Sequence, residues 1–402
     1  MRANHWRDVS GTHDSVKTGL KPPEPVMIEK AEIHNFRSIR HAQFDLERLT
    51  VFVGPNGSGK TTALLALFCL SEFGHERSGQ LNAEGTHELW RIWPAQKSRG
   101  AGTEDVLELM GMNGDAYDQI RVGHNGVELN GRSSGNQQHE WTRSLKLYQA
   151  GYHIPVPLSD RGPALFLHLE AGKVAAASYS DDPVPRIQPS GEGFASYLDH
   201  LISARPEGHE ELVIGLRKVV PTVRAVRTPR ARVVRAEQEV ITVEGKSFTR
   251  TGEKELWGNQ IEFDMEGATG VPASAVSEGT LLALAILAIA TGPDAPRLLL
   301  LDDIDHSLHP RAQAELIARL RQVLDARPEL QIVATSHSPY MLDHLRPEEV
   351  RLSAIREDGS TVIGRLDDHP DYDRWRDEMT PGEFWSYAGE DWLAGRQQAG
   401  ST

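Results

Sequence analysis

The sequence holds a single cysteine, Cys69, among its 402 residues. One cysteine cannot form an intrachain disulfide, so the chain lacks the framework on which small secreted proteins depend. On the same ground we expect no Cys/His metal cluster. This cysteine usage is typical of a reducing compartment and predicts a cytoplasmic protein.

Long apolar runs are also missing. The longest, LLALAILAIA from Leu281 to Ala290, is shorter than the about 20 residues that cross a bilayer. The N-terminal stretch MRANHWRDVSGTHD has no apolar centre, so it does not resemble a secretory signal peptide. We therefore expect no membrane-spanning segment and no membrane partner.

Basic residues are fewer than acidic ones, and the formal net charge is −14. Such a balance opposes a protein that coats nucleic acid with its whole surface, although it allows a local basic patch. Apolar residues make up 39% and charged residues 25%, as is ordinary for a globular protein. There is no internal repeat and no sustained heptad pattern, so long coiled-coil arms are not expected.

Apolar strands alternate with helical segments. MIEKAEIHNF and LTVFVG are typical of strands, and GKTTALLALFCLSEF has helix formers without a breaker. Later segments continue the alternation, with predicted bounds of strand Arg297–Leu301, helix Pro310–Ala326, strand Gln331–Thr335 and helix Tyr340–Leu345. Strands that are apolar throughout predict an α/β fold whose sheet is mostly parallel and covered by helices on both faces.

The middle of the chain gives a weaker signal. ALFLHLEAGKVAAASYS predicts a hairpin that turns at Ala171 and Gly172, while GEGFASYLDHLISA and PEGHEELVIGLRKVV predict two amphipathic helices. We expect an antiparallel β subdomain and a helical lobe in this part. The predicted organisation is a flexible leader (1–26), a head (27–366) with a core of 27–73 and 259–366 and an inserted lobe of 74–258, and an aromatic-rich tail (367–402).

The segment GPNGSGKT fits the P-loop pattern G-x-x-x-x-G-K-[ST], between an apolar strand and a helix. Its glycines let backbone N–H groups curl around a β-phosphate, and the helix N-terminus adds roughly half a positive charge. Lys60 is placed to reach the β- and γ-phosphate oxygens, and the Thr61 hydroxyl to ligate Mg²⁺. An exposed glycine-rich turn is the alternative, which the flanking strand and helix disfavour. The predicted nucleotide-contacting residues are Gly54, Pro55, Asn56, Gly57, Ser58, Gly59, Lys60, Thr61 and Thr62.

A P-loop needs a second carboxylate for the metal ion, and LLLLDDIDHSLHP supplies candidates. Four apolar residues place Asp302 at the carboxyl edge of the sheet, where open α/β sheets bind their ligands. A strand that ends in a solvated acidic turn is the alternative. The chain has no N-K-x-D motif for guanine, which favours ATP over GTP.

Five segments together resemble one known family. NFRS precedes the P-loop, SEGT opens an apolar helix, DDIDHSLHP follows a strand, and VATSHSP ends another. In this order they resemble the RecF/SMC-type ABC ATPases, which include the ATPase modules of overcoming-lysogenization-defect (OLD) nucleases. The resemblance covers the chain from Met27 to Leu345, loosely between Gly74 and Ala275. It implies a P-loop NTPase of the ABC/SMC-head type that uses ATP and Mg²⁺.

The resemblance assigns further residues to the nucleotide. Arg37 and Ser38 match positions close to the nucleotide, and His337 matches the γ-phosphate sensor. Ser277 and Gly279 match a signature motif that caps the γ-phosphate held by a second protomer, so ATP would join two heads in a homodimer or higher oligomer. By themselves, Ser277 could be an ordinary N-cap and His337 a structural histidine. The Q-loop glutamine stays open among Gln80, Gln96, Gln137 and Gln138.

The chain departs from the family at Asp303, where a glutamate normally polarises the attacking water. An aspartate is one methylene shorter, its reach falls by about 1.5 Å, and misplacement on that scale can lower a rate about 10²-fold. Asp305 could compensate only if the backbone stays extended. We expect slow hydrolysis, with Asp303, Lys60, His337 and Asp305 as the candidate catalytic residues and Thr61 and Asp302 on the metal.

These features predict a slow ATPase that acts as a nucleotide-dependent switch for DNA or for a separately encoded effector, such as a nuclease or a toxin. The residues after His337 leave too little room for the Toprim nuclease domain of OLD-type proteins. By resemblance, such compact proteins often belong to anti-phage or DNA-maintenance systems. A scaffold that ATP assembles without turnover is the main alternative, and an ATPase coupled to a membrane transporter is another.

Two features lie outside the motifs. LRKVVPTVRAVRTPRARVVR, Leu216–Arg235, holds seven basic residues and no acid, so residues 217–235 could contact DNA phosphates. Strands with arginine on their solvent face are an equal alternative. The tail from Tyr372 to Trp392 holds six aromatics, and we expect it to pack on the body or else to offer a hydrophobic anchor for a partner.

Overall fold

The computed structural model describes residues 27–74, 107–113, 116–123, 126–132, 140–146, 164–243 and 246–395. The predicted leader, residues 1–26, lies outside these ranges. Within them, no helix is long and apolar enough to cross a membrane.

The described strands form a mostly parallel central sheet of six strands and three antiparallel sheets of six, three and two strands. Their bounds are β1 Lys30–Phe36, β2 Ile39–Asp45, β3 Leu49–Val53, β4 Leu107–Asn113, β5 Ala116–Gly123, β6 Gly126–Arg132, β7 Glu140–Lys146, β8 Ala164–Leu167, β9 Val223–Arg227, β10 Arg230–Val243, β11 Lys246–Asn259, β12 Glu262–Met265, β13 Ala268–Pro272, β14 Leu298–Leu301, β15 Gln331–Ser336, β16 Val350–Ile355 and β17 Thr361–Arg365.

The helices flank the central sheet. Their bounds are α1 Lys60–Gly74, α2 Ala171–Ala175, α3 Phe194–Ala204, α4 Pro206–Val219, α5 Glu278–Thr291, α6 Pro310–Ala326, α7 Pro339–Leu342, α8 Tyr372–Trp375, α9 Pro381–Ala388 and α10 Asp391–Gly395. The long helices lie where helix formers without breakers predicted them. The short α7 ends earlier than the predicted helix Tyr340–Leu345.

The central sheet has the order β17-β16-β3-β15-β14-β8. Its strands pair in parallel except β17, which runs antiparallel on the edge. Side chains alternate between its two faces: Val51 and Val53 join the cluster that contains α5, whereas Phe52 joins the cluster that contains α1. Both faces are therefore covered, as apolar strands require. The predicted α/β class, with a mostly parallel sheet, is confirmed.

A second sheet, β2-β1-β4-β5-β6-β7, is antiparallel throughout. Its strand β1 carries Ala31, Ile33 and Phe36 into the cluster with α1, so this sheet and α1 share one core. The alternate residues of β1 and β2 face away from that core and are less buried.

The predicted hairpin at Ala171 and Gly172 is wrong. The chain forms β8 and then the helix α2. The reason is tertiary, because β8 pairs in parallel with β14, from Ala164 beside Leu298 to Leu167 beside Leu301. Residues 164–167 thus complete the central sheet, although the predicted division placed them in the inserted lobe.

The aromatic tail packs on the body, as expected. Phe384 and Leu393 are buried in the large cluster that also holds α5. His369 meets the rings of Phe384 and Trp392 edge-on at 5.1 and 5.0 Å between centroids. Gly382 lies against the carbonyl of Pro339, so the tail contacts the helix that follows His337.

Candidate nucleotide-binding site

The P-loop, residues 54–61, connects β3 to α1. Gly54, Gly57 and Gly59 have φ angles of 147°, 77° and 98°, which other residues adopt with strain. A Cβ on Gly59 would lie 2.3 Å from the Thr361 hydroxyl oxygen. Glycine is therefore needed here both for the turn and for the close approach of β17.

Ser353 and Thr361, which lie far from the P-loop in sequence, support this loop. The Ser353 hydroxyl of β16 donates to the carbonyl of Ser58 at 2.6 Å. Thr361 of β17 donates through its hydroxyl to Ser38 Oγ at 2.8 Å, and its backbone N–H donates to the Ser38 carbonyl at 2.8 Å. Ser38 is thus tied to the strand that touches Gly59.

Lys60 begins α1 and is buried in the loop. Its ammonium donates to the carbonyls of Gly54 and Pro55, both at 2.9 Å. Burial lowers the pKa of the Lys60 ammonium, and the carboxylates of Asp303 and Asp302 partly offset this effect. A cation held among carbonyls behind an anion-binding turn fits a polyphosphate.

The side chains of the site converge on the carboxylate of Asp302. Its side chain is only 5% exposed. The hydroxyl of Thr61 donates to its two oxygens at 2.9 and 3.0 Å, and the hydroxyl of Thr335 donates to one of them at 2.7 Å. His168 Nδ1 lies 3.2 Å from Asp302 Oδ2. A carboxylate and a hydroxyl side by side are hard oxygen donors, so these residues fit Mg²⁺.

Immediately after Asp302 the backbone turns. Asp303 has a φ of 55°, and its N–H donates to Thr335 Oγ1 at 2.8 Å. This turn brings Asp303 Oδ1 to 3.6 Å from His337 Nε2. The two side chains are both partly exposed, at 39% and 37%, and can reach a ligand in the site.

The turn also changes the position of Asp305. The condition for its help in catalysis, an extended backbone after Asp302, is not met. Its carboxylate instead accepts from the backbone N–H of His337 at 3.3 and 3.4 Å. Asp305 therefore contacts the loop that carries His337, and a catalytic role for Asp305 remains a prediction whose condition this backbone does not meet.

The signature segment begins α5. Ser277 Oγ accepts the N–H of Thr280 at 3.3 Å and thus caps the helix. A Cβ on Gly279 would lie 2.3 Å from the Ser307 carbonyl, and Ser307 Oγ donates to Glu278 at 2.8 Å. The start of α5 and the loop after Asp303 are consequently packed together within one chain, with Ser277 exposed.

Arg37 and Ser38 form the turn between β1 and β2. Arg37 has a φ of 52° and is half-buried, and burial lowers the pKa of its guanidinium. A desolvated guanidinium is suited to an anionic partner.

A family model described as "AAA domain, putative AbiEii toxin, Type IV TA system" matches residues 141–343, just over half of the chain. The chain belongs to this AAA domain family. A second model, "AAA ATPase domain", matches residues 27–88 and so includes the P-loop. Both models describe AAA-type domains, and the P-loop ATPase predicted from the sequence is thereby confirmed.

Two curated relatives share sequence with this AAA-domain protein. The Septu protein PtuA of Bacillus mycoides (strain KBAB4) is 22% identical over 357 residues, which are 84% of this chain and 42% of the relative. The Septu protein PtuA of Bacillus thuringiensis is 36% identical over 73 residues, 18% of each chain. The chain therefore spans less than half the length of the curated relatives it matches.

Solved structures similar to this AAA-domain protein include two SMC heads. The SmcHead bound to the C-winged helix domain of ScpA is 15% identical, with a TM-score of 0.48 and coverage of 84% of this chain and 97% of that one. The SMC head domain from Thermotoga maritima is 13% identical, with a TM-score of 0.40 and coverage of 84% and 98%. Neither comparison bears on function.

Sequence reasoning missed three residues of this AAA-domain site: His168, Thr335 and Thr361. A signal for His168 exists, because it follows the apolar LFL of β8 as Asp302 follows LLLL of β14. It ends the strand next to β14 at the same sheet edge. The glutamines considered for the Q-loop (Gln80, Gln96, Gln137 and Gln138) lie outside the described residues.

The basic stretch of this AAA-domain protein lies on α4 and on β9 and β10. We call the exposed arginines of β9 and β10 the arginine arm: Arg224, Arg227, Arg230, Arg232 and Arg235. Several already have acidic neighbours, since Arg224 lies 3.1 Å from Glu266 and Arg227 donates to Asp264. Arg232 lies over the ring of Trp257, which is 57% exposed. The arm is thus a basic surface whose charges are partly compensated.

Proposed function

We propose that this protein binds ATP with Mg²⁺, hydrolyses it slowly, and uses the bound nucleotide to control the association of two heads. The observation that carries the proposal is the convergence of Thr61, Thr335 and His168 on the Asp302 carboxylate beside the P-loop. Hydroxyl and carboxylate oxygens next to a buried lysine are what a nucleotide with a hard metal ion requires.

In this proposal, backbone N–H groups of the P-loop and Lys60 bind the β- and γ-phosphates. Thr61 and Asp302 would hold Mg²⁺, which when bound neutralises charge on the phosphates. Thr335 fixes the orientation of Asp302 through its 2.7 Å hydrogen bond. His168, on the opposite side of Asp302 from Thr335, restrains the same carboxylate.

Asp303 is the proposed general base. It takes a proton from water while the water oxygen bonds to the γ-phosphorus and the bond from that phosphorus to the bridging oxygen breaks, which yields ADP and phosphate. Before this step, His337 contacts the γ-phosphate of bound ATP as its sensor. Because an aspartate reaches about 1.5 Å less far than a glutamate, this step is expected to be slow by about 10²-fold.

Ser277 and Gly279 are proposed to act on the nucleotide of a second copy. Ser277 is exposed at the N-terminus of the 14-residue helix α5, whose dipole favours an anion. An ATP-dependent homodimer, or a higher oligomer, would place this helix end on the partner's γ-phosphate.

We further propose that nucleotide state is passed to DNA through residues 217–235 or to a separate effector protein, in anti-phage defence or DNA maintenance. The arginine arm and the similarity to Septu PtuA proteins support this part. The protein is expected to act in the cytoplasm.

A second candidate is a scaffold that ATP assembles without turnover. The 3.6 Å contact between Asp303 Oδ1 and His337 Nε2 favours it, since the imidazole competes with the attacking water for the same carboxylate. The two candidates share the nucleotide site and differ only in the fate of ATP.

The test is the rate of phosphate release per chain by the wild type, Asp303→Asn and Lys60→Ala over a range of protein concentrations. The switch proposal expects a wild-type rate that rises with concentration and falls to the Lys60→Ala level in Asp303→Asn. A wild type that already equals Lys60→Ala would support the scaffold. Size-exclusion chromatography with ATP then decides assembly, because both candidates require a shift to a larger species.

A further inference from the structure

On the outward face of the β1–β2 hairpin, three side chains bring atoms that can ligate a metal ion close to one another. Glu32 and His34 are two residues apart on β1, so they share a face, and His34 is paired directly with His41 on β2. Glu32 Oε1 lies 2.8 Å from His34 Nε2 and 3.3 Å from His41 Nε2. The two imidazole rings stack with centroids 4.3 Å apart.

These contacts bring one oxygen and two imidazole nitrogens within 4.8 Å of one another. Two histidines and one carboxylate are a donor set that holds Zn²⁺ and related ions, with an open position for a further ligand. The Glu32 carboxylate lies between the two Nε2 atoms, so it supplies the oxygen of this donor set.

The neighbouring strand adds to this preference for a cation. Glu108 of β4 stands directly opposite His34 in the register of β1 and β4, and it is half-buried. Side chains paired in this way across antiparallel strands lie on the same face. The face of the sheet that bears the cluster therefore carries a second carboxylate within one strand spacing.

We propose that Glu32, His34 and His41 form a binding site for a divalent transition-metal ion of the zinc class, separate from the nucleotide site. An ion there ties β1 to β2 just before the turn that holds Arg37 and Ser38. Since Ser38 is bonded to Thr361, which touches Gly59, the ion stiffens a hairpin that supports the P-loop.

The experiment titrates Zn²⁺ into untagged, EDTA-treated protein in competition with a chromophoric chelator. All variants are made in a His168→Gln background, so that zinc held beside Asp302 is reduced equally in each. The expected result is one tight site per chain, weakened about 100-fold or more by His34→Gln, His41→Gln or Glu32→Gln, since even outer-shell losses weaken metal sites 10–100-fold. His344→Gln, an exposed histidine elsewhere, is the matched control and keeps full affinity.

A second readout guards against misfolded variants. Thermal unfolding without zinc establishes that each variant folds, and zinc then raises Tm in the control but not in the cluster variants. An equal Tm rise in the His34→Gln/His41→Gln double variant, or an unchanged zinc stoichiometry, overturns the proposal. Neither readout depends on ATP turnover, so this result stands or falls independently of the proposed ATPase.

Discussion

The carboxyl edge of the central sheet and the arginine arm both concentrate charge, but they handle it in opposite ways. At the sheet edge, Asp302 is nearly buried and bonds to Thr61, 241 residues away in sequence. In the arm, Arg232 and its partner Glu255 are 68% and 66% exposed and lie on adjacent strands. Buried charge therefore binds distant segments together, whereas exposed charge is left available for solvent or a partner.

Among the variants that test this difference between buried and exposed charge, Lys60→Ala is expected to have the largest effect. Removal of the buried ammonium leaves the phosphates without their cation, and we expect ATP turnover to fall about 10³-fold or more, to background. Phosphate release at saturating ATP measures it. Lys254→Ala, which removes an exposed lysine from β11, is the control and should turn over like the wild type.

Glu349→Gln tests a buried charge away from the site. Its side chain is 1% exposed and accepts two hydrogen bonds of 2.6 Å from Arg321 and further ones from Arg346. Removal of one partner from a buried ion pair costs about 3–5 kcal/mol, so the free energy of unfolding at pH 7 should fall by that amount. Urea unfolding measures it, with the exposed Glu357→Gln as the control that changes little.

The ion pair between Glu349 and Arg321 also predicts that the free energy of unfolding depends on pH. Burial would raise the pKa of Glu349, but hydrogen bonds from Arg321 outweigh it and hold the pKa below the unfolded value of 4.5. The stabilisation is thus complete above pH 4.5 and is lost as the pH falls through the folded pKa. The difference between the wild type and Glu349→Gln should therefore shrink in acid. A difference that grows in acid would contradict this explanation.

Thr335→Val should have a smaller effect. Its buried hydroxyl orients Asp302 and accepts the N–H of Asp303, so its loss should lower kcat about 10–100-fold, as for outer-shell partners of metal ligands. The control is Thr50→Val, an equally buried threonine whose hydroxyl bonds only to Glu47. If both variants lose turnover equally, Thr335 acts through stability alone.

The smallest effect on stability is expected in the arm. Substitution to glutamine of Arg224, Arg230, Arg232 and Arg235 together should change the free energy of unfolding little, because each exposed ion pair contributes about 0–1 kcal/mol. Arg227 is left in place, because its partner Asp264 is only 12% exposed. DNA affinity and its salt dependence should both fall, since fewer phosphates are neutralised. Fluorescence anisotropy with labelled duplex DNA measures this. Unchanged affinity would refute a role of residues 217–235 in DNA binding.

Local pattern was enough to predict the strands and helices around the motifs. The P-loop glycines and the apolar run before Asp302 place their elements by spacing alone, and helix Pro310–Ala326 has the predicted bounds. The condition set for Asp305, an extended backbone after Asp302, could not be judged from sequence, because the left-handed turn at Asp303 is accompanied by a hydrogen bond to Thr335, 32 residues away. A local sequence pattern cannot reveal a contact between residues this far apart.

The metal cluster escaped sequence analysis for a related reason. Cysteine spacing signals many zinc sites, but Glu32, His34 and His41 meet only when the β1–β2 register is fixed. His168 was missed because the predicted hairpin paired the strand before it with the following residues, whereas β8 pairs with β14, more than 130 residues later in the sequence.

The hydrogen bonds that hold the P-loop also determine when, during translation, the loop can form. Ser353 lies 295 residues after the serine whose carbonyl it holds, and Thr361 lies 323 residues after Ser38. During translation the P-loop leaves the ribosome long before either support exists, and chains emerge at about 5–20 residues per second. The nascent chain therefore cannot complete its nucleotide loop until β16 and β17 have been made, so competence to bind ATP waits for the synthesis of residues 350–365.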